Sequence, residues 1–263
     1  MFGKTLAKLS RSWQEKYLKN TTQVMEYYKQ FQDVEYEWDV PFKSKDGTPL
    51  LMDLFRPKGL SLSNCPSVLM VHGGGFFMGD RKMDLGLCRH FAKAGFIASS
   101  IEYRLFPDVD VRGVIADVIG GIEAVRPDYV VASSAGVFAT ILAIRETSIK
   151  IRAIASLSGM FYSRRKDLVG LAMSNIVPKN FADTESDEVI ASLPPMFLVT
   201  SKGDFLKKYT LRYADFLTRR GKVFELANYY KSKHLVHSFP SLMPEAPESI
   251  EVDTKIAEWF RRL

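Results

Sequence analysis

The sequence has little of what would place it in several classes of protein. It contains two cysteines, Cys65 and Cys88, in 263 residues, so no disulfide framework is expected, and a reducing compartment such as the cytoplasm is the simplest prediction. No stretch approaches the roughly 20 consecutive apolar residues of a membrane span. The N-terminal segment is basic but lacks the continuous apolar core of a secretory signal. The net charge of +6 comes without a run of Lys and Arg, which argues against nucleic-acid binding.

What the sequence does contain is an alternation of strand and helix patterns. No repeat, low-complexity tract or linker divides the chain, so we expect a single domain over residues 1–263 that needs no structural metal. Short apolar runs rich in β-branched residues predict strands at 34–40, 50–55, 67–71, 96–101, 129–132, 151–157, 196–200 and 223–226. Apolar residues at helical spacing predict helices at 82–94, 114–124, 135–145, 206–220 and 245–263.

This alternation predicts an α/β fold with a mostly parallel central sheet and helices on both faces. The first two strands have no helix between them, and the Asp46-Gly47 turn favours an antiparallel hairpin at the sheet edge. Residues 159–193 interrupt the alternation. We expect them to form a small helical cap over the carboxyl-terminal edge of the sheet.

A second cap element is expected within residues 1–33. The apolar residues of this segment recur at spacings of three and four, which places them on one face of a helix. They are Phe2, Leu6, Leu9, Trp13 and Tyr17. The alternative for this basic helix is to lie on an anionic membrane surface.

Catalytic chemistry is first indicated at Ser134, in the segment Ala132-Ser133-Ser134-Ala135-Gly136. A predicted buried strand meets a predicted helix here, and this is the context of a nucleophile elbow, whose serine hydroxyl stands at the helix N-terminus. Small residues are needed two positions before and after the serine because strand and helix pass close together. Gly136 meets this need, and Ala132 differs from the usual glycine by one methyl group. The alternative is a helix start in which Ser133 or Ser134 is only an N-cap.

A second signal is His72-Gly73-Gly74-Gly75, directly after the predicted strand 67–71. Without Cβ atoms, the backbone amides of these glycines can approach a ligand and point at a developing oxyanion. The pattern is that of an HGGG-type oxyanion loop. The expected donors are the amides of Gly73, Gly74 and Ala135, and His72 is expected to be structural. The alternative is a flexible glycine turn.

With these two segments, the chain resembles the hormone-sensitive-lipase-like branch of the α/β-hydrolase superfamily. The segment Tyr103-Arg104-Leu105-Phe106-Pro107 is similar to the Y-R-L-x-P segment of that family, and Asp117 stands where the family usually has an aspartate. The resemblance covers roughly residue 34 to the C-terminus and implies an α/β-hydrolase fold. The elbow departs from the usual G-D-S-A-G-G, because this chain has Ala132, Ser133 and Val137.

A serine nucleophile needs a base and a carboxylate that orients the base, and the superfamily order is serine, acid, histidine. Asp204 follows the predicted strand 196–200 and resembles the acid of the family; a helix N-cap is its alternative role. Two histidines, His234 and His237, come later. His237 matches the H-x-F pattern of the family and is the expected base, while His234 is expected in a loop or at a pocket rim. A metal pair of these histidines has no further ligand close in sequence.

These residues predict a serine carboxylesterase that hydrolyses small short-acyl esters through an acyl-enzyme, with Ser134, His237 and Asp204 as the triad. No metal, cofactor, nucleic acid or integral membrane segment is expected, and homo-oligomerisation stays open. One alternative is an amide or formamide hydrolase, since kynurenine formamidases are similar hydrolases. Another is a non-catalytic ligand-binding member, as in the plant hormone receptors of this family. Such receptors are expected to lack the base, so the presence of His237 speaks against this alternative.

Overall fold

The computed structural model describes residues 12, 31–162, 173, 176–178, 181 and 184–263. The residues predicted to form the apolar face of an N-terminal helix lie outside these ranges, as do residues 163–172 of the predicted cap. Among the helices of the described part, none has the length and apolar character needed to span a bilayer. Both cysteines are free thiols.

Eight strands form one sheet in the order β1-β2-β4-β3-β5-β6-β7-β8. Their bounds are β1 (Val34–Lys43), β2 (Pro49–Pro57), β3 (Ser67–Val71), β4 (Ile97–Ile101), β5 (Tyr129–Ser133), β6 (Ala153–Leu157), β7 (Met196–Ser201) and β8 (Phe224–Tyr229). β2 pairs antiparallel with β1 and β4, and the remaining neighbours are parallel. The predicted edge hairpin and mostly parallel sheet are therefore confirmed.

Seven α-helices accompany the sheet in the described residues. They are α1 (Leu85–Lys93), α2 (Val111–Val125), α3 (Ala135–Glu146), α4 (Asp187–Ser192), α5 (Lys207–Arg219), α6 (Phe239–Leu242) and α7 (Pro247–Arg262). The helix predicted at 82–94 is divided, because a 3₁₀ turn, Arg81–Asp84, precedes α1 and the Asp80 side chain caps that turn at the Lys82 amide. α7 begins at Pro247 rather than 245, since proline is favoured in the first turn of a helix.

The core lies in two layers on opposite faces of the sheet. Leu69 and Val71 of β3 pack on the side of α2 and α3, whereas Val68 and Met70 pack on the side of α1 and α7. Successive side chains of a strand point to opposite faces, so a strand buried on both sides reads as a continuous apolar run. The predicted helices on both faces are thus confirmed.

The parallel strands bring their carboxyl ends to one edge, where ligands of open α/β sheets bind. Residue 72 follows β3, residue 134 follows β5, and residue 204 lies just after β7. The loop after β8 carries residue 237 to the same edge, and a bridge between Gly203 and Val236 ties that loop to the one after β7. Every segment with predicted chemistry therefore ends at this edge.

Candidate active site

Ser134 stands on the sharp turn between β5 and α3. Its φ of 51° and ψ of −118° lie in a region that non-glycine residues rarely adopt. Two backbone hydrogen bonds hold this conformation: the Ser134 amide donates to the Leu157 carbonyl at 2.9 Å, and the Ser134 carbonyl accepts from the Met160 amide at 2.9 Å. The hydroxyl is thereby presented at the N-terminus of α3, as in a nucleophile elbow.

Close packing around the turn explains its small residues. A Cβ atom on Gly136 would lie 2.4 Å from the His72 carbonyl oxygen and 2.5 Å from that of Val71, so α3 meets the backbone of β3 directly. A Cβ atom on Gly73 would lie 3.1 Å from the Cβ of Ser134. Ala132 is fully buried, so its methyl group is accommodated in the packing around the turn.

The side chains of Ser134, His237 and Asp204 form one hydrogen-bonded chain. His237 Nε2 lies 2.8 Å from Ser134 Oγ, and His237 Nδ1 lies 2.7 Å from Asp204 Oδ1. An aspartate acceptor requires the proton on Nδ1, which leaves Nε2 free to accept from the serine hydroxyl. This is the geometry in which an imidazole removes a proton from a serine nucleophile.

The Asp204 carboxylate is buried and held on both oxygens. Oδ2 accepts from the Thr200 hydroxyl at 2.7 Å, and Oδ1 also accepts from the Leu206 amide at 2.8 Å. Burial by itself raises the pKa of Asp204, but the hydrogen bond and charge of His237 and the bonds from Thr200 and Leu206 outweigh it, so the pKa is lowered. Asp204 therefore stays ionised and can stabilise an imidazolium at His237. The sequence suggested a helix N-cap as the alternative role of Asp204, but the residue that caps α5 is Leu206 and no side chain caps this helix; Asp204 instead accepts from the Leu206 amide just before it.

The loop that carries His237 is contacted by Ser158 and Phe205. The amide of Ser238 donates to the Ser158 hydroxyl at 2.9 Å. The ring of Phe205 lies 4.1 Å from the imidazole, tilted by 35°, although Phe205 is 68% exposed. An aromatic side chain with this exposure beside the site offers apolar surface to a bound molecule.

Residues 72–75, which we call the glycine loop, lie against the turn at Ser134. Within the described part of the chain, the amides of Gly73, Gly74 and Ala135 have no hydrogen-bond acceptor. Gly74 has a φ of 103°, and a Cβ atom there would lie 1.9 Å from the Met78 carbonyl oxygen. Open amides beside a serine hydroxyl are suited to a developing negative charge. Glycine is required at position 74 by both its conformation and its surroundings.

His72 lies behind the glycine loop. Burial lowers the pKa of His72 to about 4, so the imidazole is neutral at physiological pH. Its Nδ1 lies 2.8 Å from the Gly73 carbonyl oxygen, which can only accept, so Nδ1 carries the proton. These contacts agree with the structural role expected for His72.

The remaining polar residues singled out in the sequence make contacts outside the triad. Asp117 is fully buried and binds the Arg104 guanidinium at 2.7 Å, which ties the segment after β4 to α2. Ser133 Oγ lies 2.8 Å from Ser241 Oγ, and His234 Nε2 lies 3.0 Å from a Glu248 oxygen at the surface. Across the described ranges, no group of three or more His, Cys, Asp or Glu could hold a metal ion.

Sequence reasoning missed several residues that shape this site. Thr200 precedes Asp204 by four residues, Ser158 directly follows β6, and Phe205 directly follows Asp204. Only Phe205 had a usable signal, since it is a large apolar residue next to the predicted carboxylate. The roles of Thr200 and Ser158 depend on contacts between separate loops, which no local pattern reports.

A family model and several known proteins are similar to parts of this chain. A family model described as BD-FAE matches residues 52–132, which includes the glycine loop and ends at Ala132. Over 81 residues the chain is 38% identical to the non-reducing polyketide synthase pkbA of Emericella nidulans. That match covers 30% of this chain and 3% of the synthase, so the chain spans a small fraction of that relative.

Two longer matches are esterases. The chain is 24% identical to Esterase LipI of Mycobacterium tuberculosis over 233 residues, which covers 71% of this chain and 70% of LipI. A structure of Esterase B from Lactobacillus rhamnosis with a tributyrin phosphonate superposes with a TM-score of 0.79 at 20% identity, covering 98% of this chain and 95% of that one. Similarity at this identity shows a shared fold.

Proposed function

We propose that this chain, which has the α/β-hydrolase fold, is a serine carboxylesterase that hydrolyses small short-acyl esters through an acyl-enzyme intermediate. The observation that carries the proposal is the hydrogen-bonded chain from Ser134 Oγ to His237 Nε2 at 2.8 Å and from His237 Nδ1 to Asp204 Oδ1 at 2.7 Å. A serine in an elbow conformation with an imidazole on its hydroxyl is suited to attack on a carbonyl carbon.

In the first half-reaction, Ser134 Oγ attacks the ester carbonyl carbon while His237 Nε2 takes the hydroxyl proton. The carbonyl oxygen becomes an oxyanion, which accepts from the amides of Gly73, Gly74 and Ala135; loss of one such donor typically raises a barrier by about 3 to 4 kcal/mol. His237 then gives its proton to the leaving alcohol, and the C–O bond to that alcohol breaks. The Asp204 carboxylate stabilises the imidazolium between the two proton transfers.

In the second half-reaction, a water molecule takes the place of the alcohol. His237 Nε2 removes a proton from the water, which attacks the acyl carbon, and the same amides hold the second oxyanion. The proton then returns to Ser134 Oγ as the acyl–enzyme bond breaks. The products are a carboxylic acid and the free enzyme.

Short acyl groups are supported by the burial of apolar side chains within residues 159–193. Within the described part of residues 159–193, Met160, Phe161, Tyr162, Met173 and Ile176 are all at most 3% exposed. These apolar side chains belong to the core on the α2 and α3 side of the sheet, where Phe161 stacks on Tyr213 of α5, so they offer little surface to a long acyl chain. Esterase B was solved with a tributyrin phosphonate, and a small ester is a suitable first substrate for this chain as well.

The proposal includes two points beyond the reaction. One is that residues 1–33 and 159–193 form cap elements over the site, as the sequence predicts. The other is a location in the cytoplasm, with the free thiols of Cys65 and Cys88 as its support.

The decisive experiment compares Ser134→Ala with Ser133→Ala, because Ser133 is the adjacent serine and its hydroxyl lies 2.8 Å from Ser241 Oγ. On p-nitrophenyl acetate, Ser134→Ala should lose nearly all turnover and all labelling by a fluorophosphonate, whereas Ser133→Ala should keep both. Circular dichroism checks that each variant is folded. A Ser134→Ala enzyme with most of the wild-type rate would refute the proposed mechanism.

A substrate panel tests the ester and acyl assignments. Among p-nitrophenyl esters, kcat/KM should fall as the acyl group lengthens from acetate to octanoate. An N-formyl anilide assayed beside them should be the slower substrate. A higher kcat/KM on the formyl anilide would overturn the ester assignment in favour of a formamidase.

A further inference from the structure

We propose that Tyr103 is a positioning residue that orients both amide donors of the glycine loop, and the inference rests on the esterase function proposed above. Tyr103 lies two residues after β4 and is 1% exposed. Its hydroxyl is 2.9 Å from the His72 carbonyl oxygen and 2.9 Å from the Gly73 carbonyl oxygen. One phenol proton is therefore shared between two consecutive carbonyl groups.

Peptide geometry converts these two contacts into control of the donors. In a planar trans peptide, the carbonyl of one residue and the N–H of the next point in opposite directions. The His72 carbonyl therefore sets the direction of the Gly73 amide, and the Gly73 carbonyl sets that of the Gly74 amide. A single hydroxyl that holds both carbonyls on one side turns both amides to the other side.

The side of the loop towards which the two amides point is the side on which the proposed oxyanion forms. Gly73 lies against the nucleophile, since a Cβ atom there would come 3.1 Å from the Cβ of Ser134. The Gly73 and Gly74 amides have no acceptor within the described residues. Both amides are therefore available to an oxyanion. The carbonyl groups of the same two peptides are bound by the Tyr103 hydroxyl.

The glycine loop has one such contact of its own, from His72 Nδ1 to the Gly73 carbonyl, whereas the Tyr103 hydroxyl contacts both carbonyls. Gly74 and Gly75 have φ values of 103° and 65°, and glycine restricts the backbone less than any other residue. Donors that are already oriented require no reorganisation when charge develops. The ring of Tyr103 also stacks on the His72 imidazole, with centroids 3.9 Å apart and planes 8° from parallel, so the phenol itself is fixed.

The alternative is that Tyr103 only fills the core, and Tyr103→Phe separates the two roles. The substitution keeps the ring and its stacking and removes only the hydroxyl. The matched control is Tyr129→Phe. Tyr129 is also 1% exposed, stacks on Phe260 at 4.3 Å and donates to the Phe260 carbonyl at 2.6 Å. Both variants lose one buried hydroxyl bonded to backbone, but only Tyr103 touches the glycine loop.

We expect kcat on p-nitrophenyl acetate to fall about 10- to 100-fold in Tyr103→Phe, with KM within about twofold, because the donors act mainly on the transition state. Affinity for a trifluoromethyl ketone, whose adduct places an oxyanion at the same amides, should fall by a similar factor. Tyr129→Phe should keep both values within about twofold of wild type. Rates are calculated per site labelled by a fluorophosphonate, so loss of folded protein does not enter.

A second variant, His72→Phe, keeps a stacked ring and removes only the donor to the Gly73 carbonyl. Its loss in kcat should be smaller than that of Tyr103→Phe, because one carbonyl rather than two loses a partner. A larger loss in His72→Phe would assign the positioning to His72 and overturn the inference.

The test also separates this inference from the proposed function. If wild type hydrolyses esters and is labelled at Ser134, but Tyr103→Phe matches Tyr129→Phe in kcat and analogue affinity, the role of Tyr103 is refuted and the esterase stands. If wild type is neither labelled nor active on esters, the esterase function fails and the inference falls with it.

Discussion

The buried carboxyl of Asp84 allows a quantitative prediction about stability. Asp84 ends the 3₁₀ turn before α1 and is 1% exposed. Burial, with smaller contributions from the carboxylates of Asp80 and Asp253, raises the pKa of Asp84 to about 7, although the nearby Ser241 hydroxyl acts to lower it. The folded protein therefore keeps a proton that the unfolded chain releases near its ordinary value of 3.8.

Proton linkage determines whether the free energy of unfolding rises or falls with pH. Between these two pKa values the folded state binds more protons than the unfolded state, so stability is lost as the pH rises through this window. Asparagine has nearly the same shape and no charge to bury. The free energy of unfolding of Asp84→Asn, relative to wild type, should therefore increase by roughly 2.5 kcal/mol between about pH 5 and about pH 8.

The assay is urea unfolding of wild type and Asp84→Asn at a series of pH values, with linear extrapolation to water. Titrating groups that do not interact with Asp84 are common to both proteins and cancel in the difference. Glu188→Gln is measured beside them as a surface control, because the Glu188 side chain is 83% exposed. A difference for Asp84→Asn that stays constant, or declines as the pH rises, would refute the reasoning.

Three further predictions concern the site. Gly136→Ala should lower the free energy of unfolding by about 2 kcal/mol, because the new Cβ would lie 2.4 Å from the His72 carbonyl oxygen. This cost exceeds the gain from the higher helix propensity of alanine. Urea unfolding measures the change, and an unchanged midpoint would contradict the prediction. Thr200→Val should reduce kcat about tenfold with little change in KM, because a hydrogen bond to the buried Asp204 carboxylate is lost; steady-state kinetics measures this, and an unchanged kcat contradicts it. Phe205→Ala should raise KM for p-nitrophenyl butyrate about tenfold, because the exposed ring offers apolar surface to the ester. The free energy of unfolding should hardly change. Equal KM values in the variant and wild type would exclude that contact.

The fold could be predicted from the sequence because its strands and helices have strong local patterns. β3 is a continuous apolar run between polar segments, and its predicted bounds match the structure. Boundaries were less well predicted where a side chain caps the backbone: Asp80 caps a 3₁₀ turn, Arg81–Asp84, which replaces the first turn of the helix predicted at 82–94. Such a cap depends on one hydrogen bond, which has no periodic signature.

The candidate site could be predicted from the sequence only in part. Ser134 could be identified because the elbow needs small neighbours, and the glycine loop because its backbone must be bare. The distances among Ser134, Asp204 and His237 could not be predicted, since the three come from different strands and meet only when the sheet forms. Their catalytic roles remain a prediction, to be tested by the variants above.

The amino-acid sequence by itself determined which chemical groups are available and the order in which strands and helices deliver them. Periodicity, glycine runs and small-residue spacing are local properties, and local physics is sufficient to interpret them. Only the tertiary structure decided that the hydroxyl of Tyr103 reaches two carbonyls of the glycine loop and that Thr200 supports Asp204. Those contacts join segments through space, and their directions depend on how whole elements pack, which no short stretch of sequence specifies.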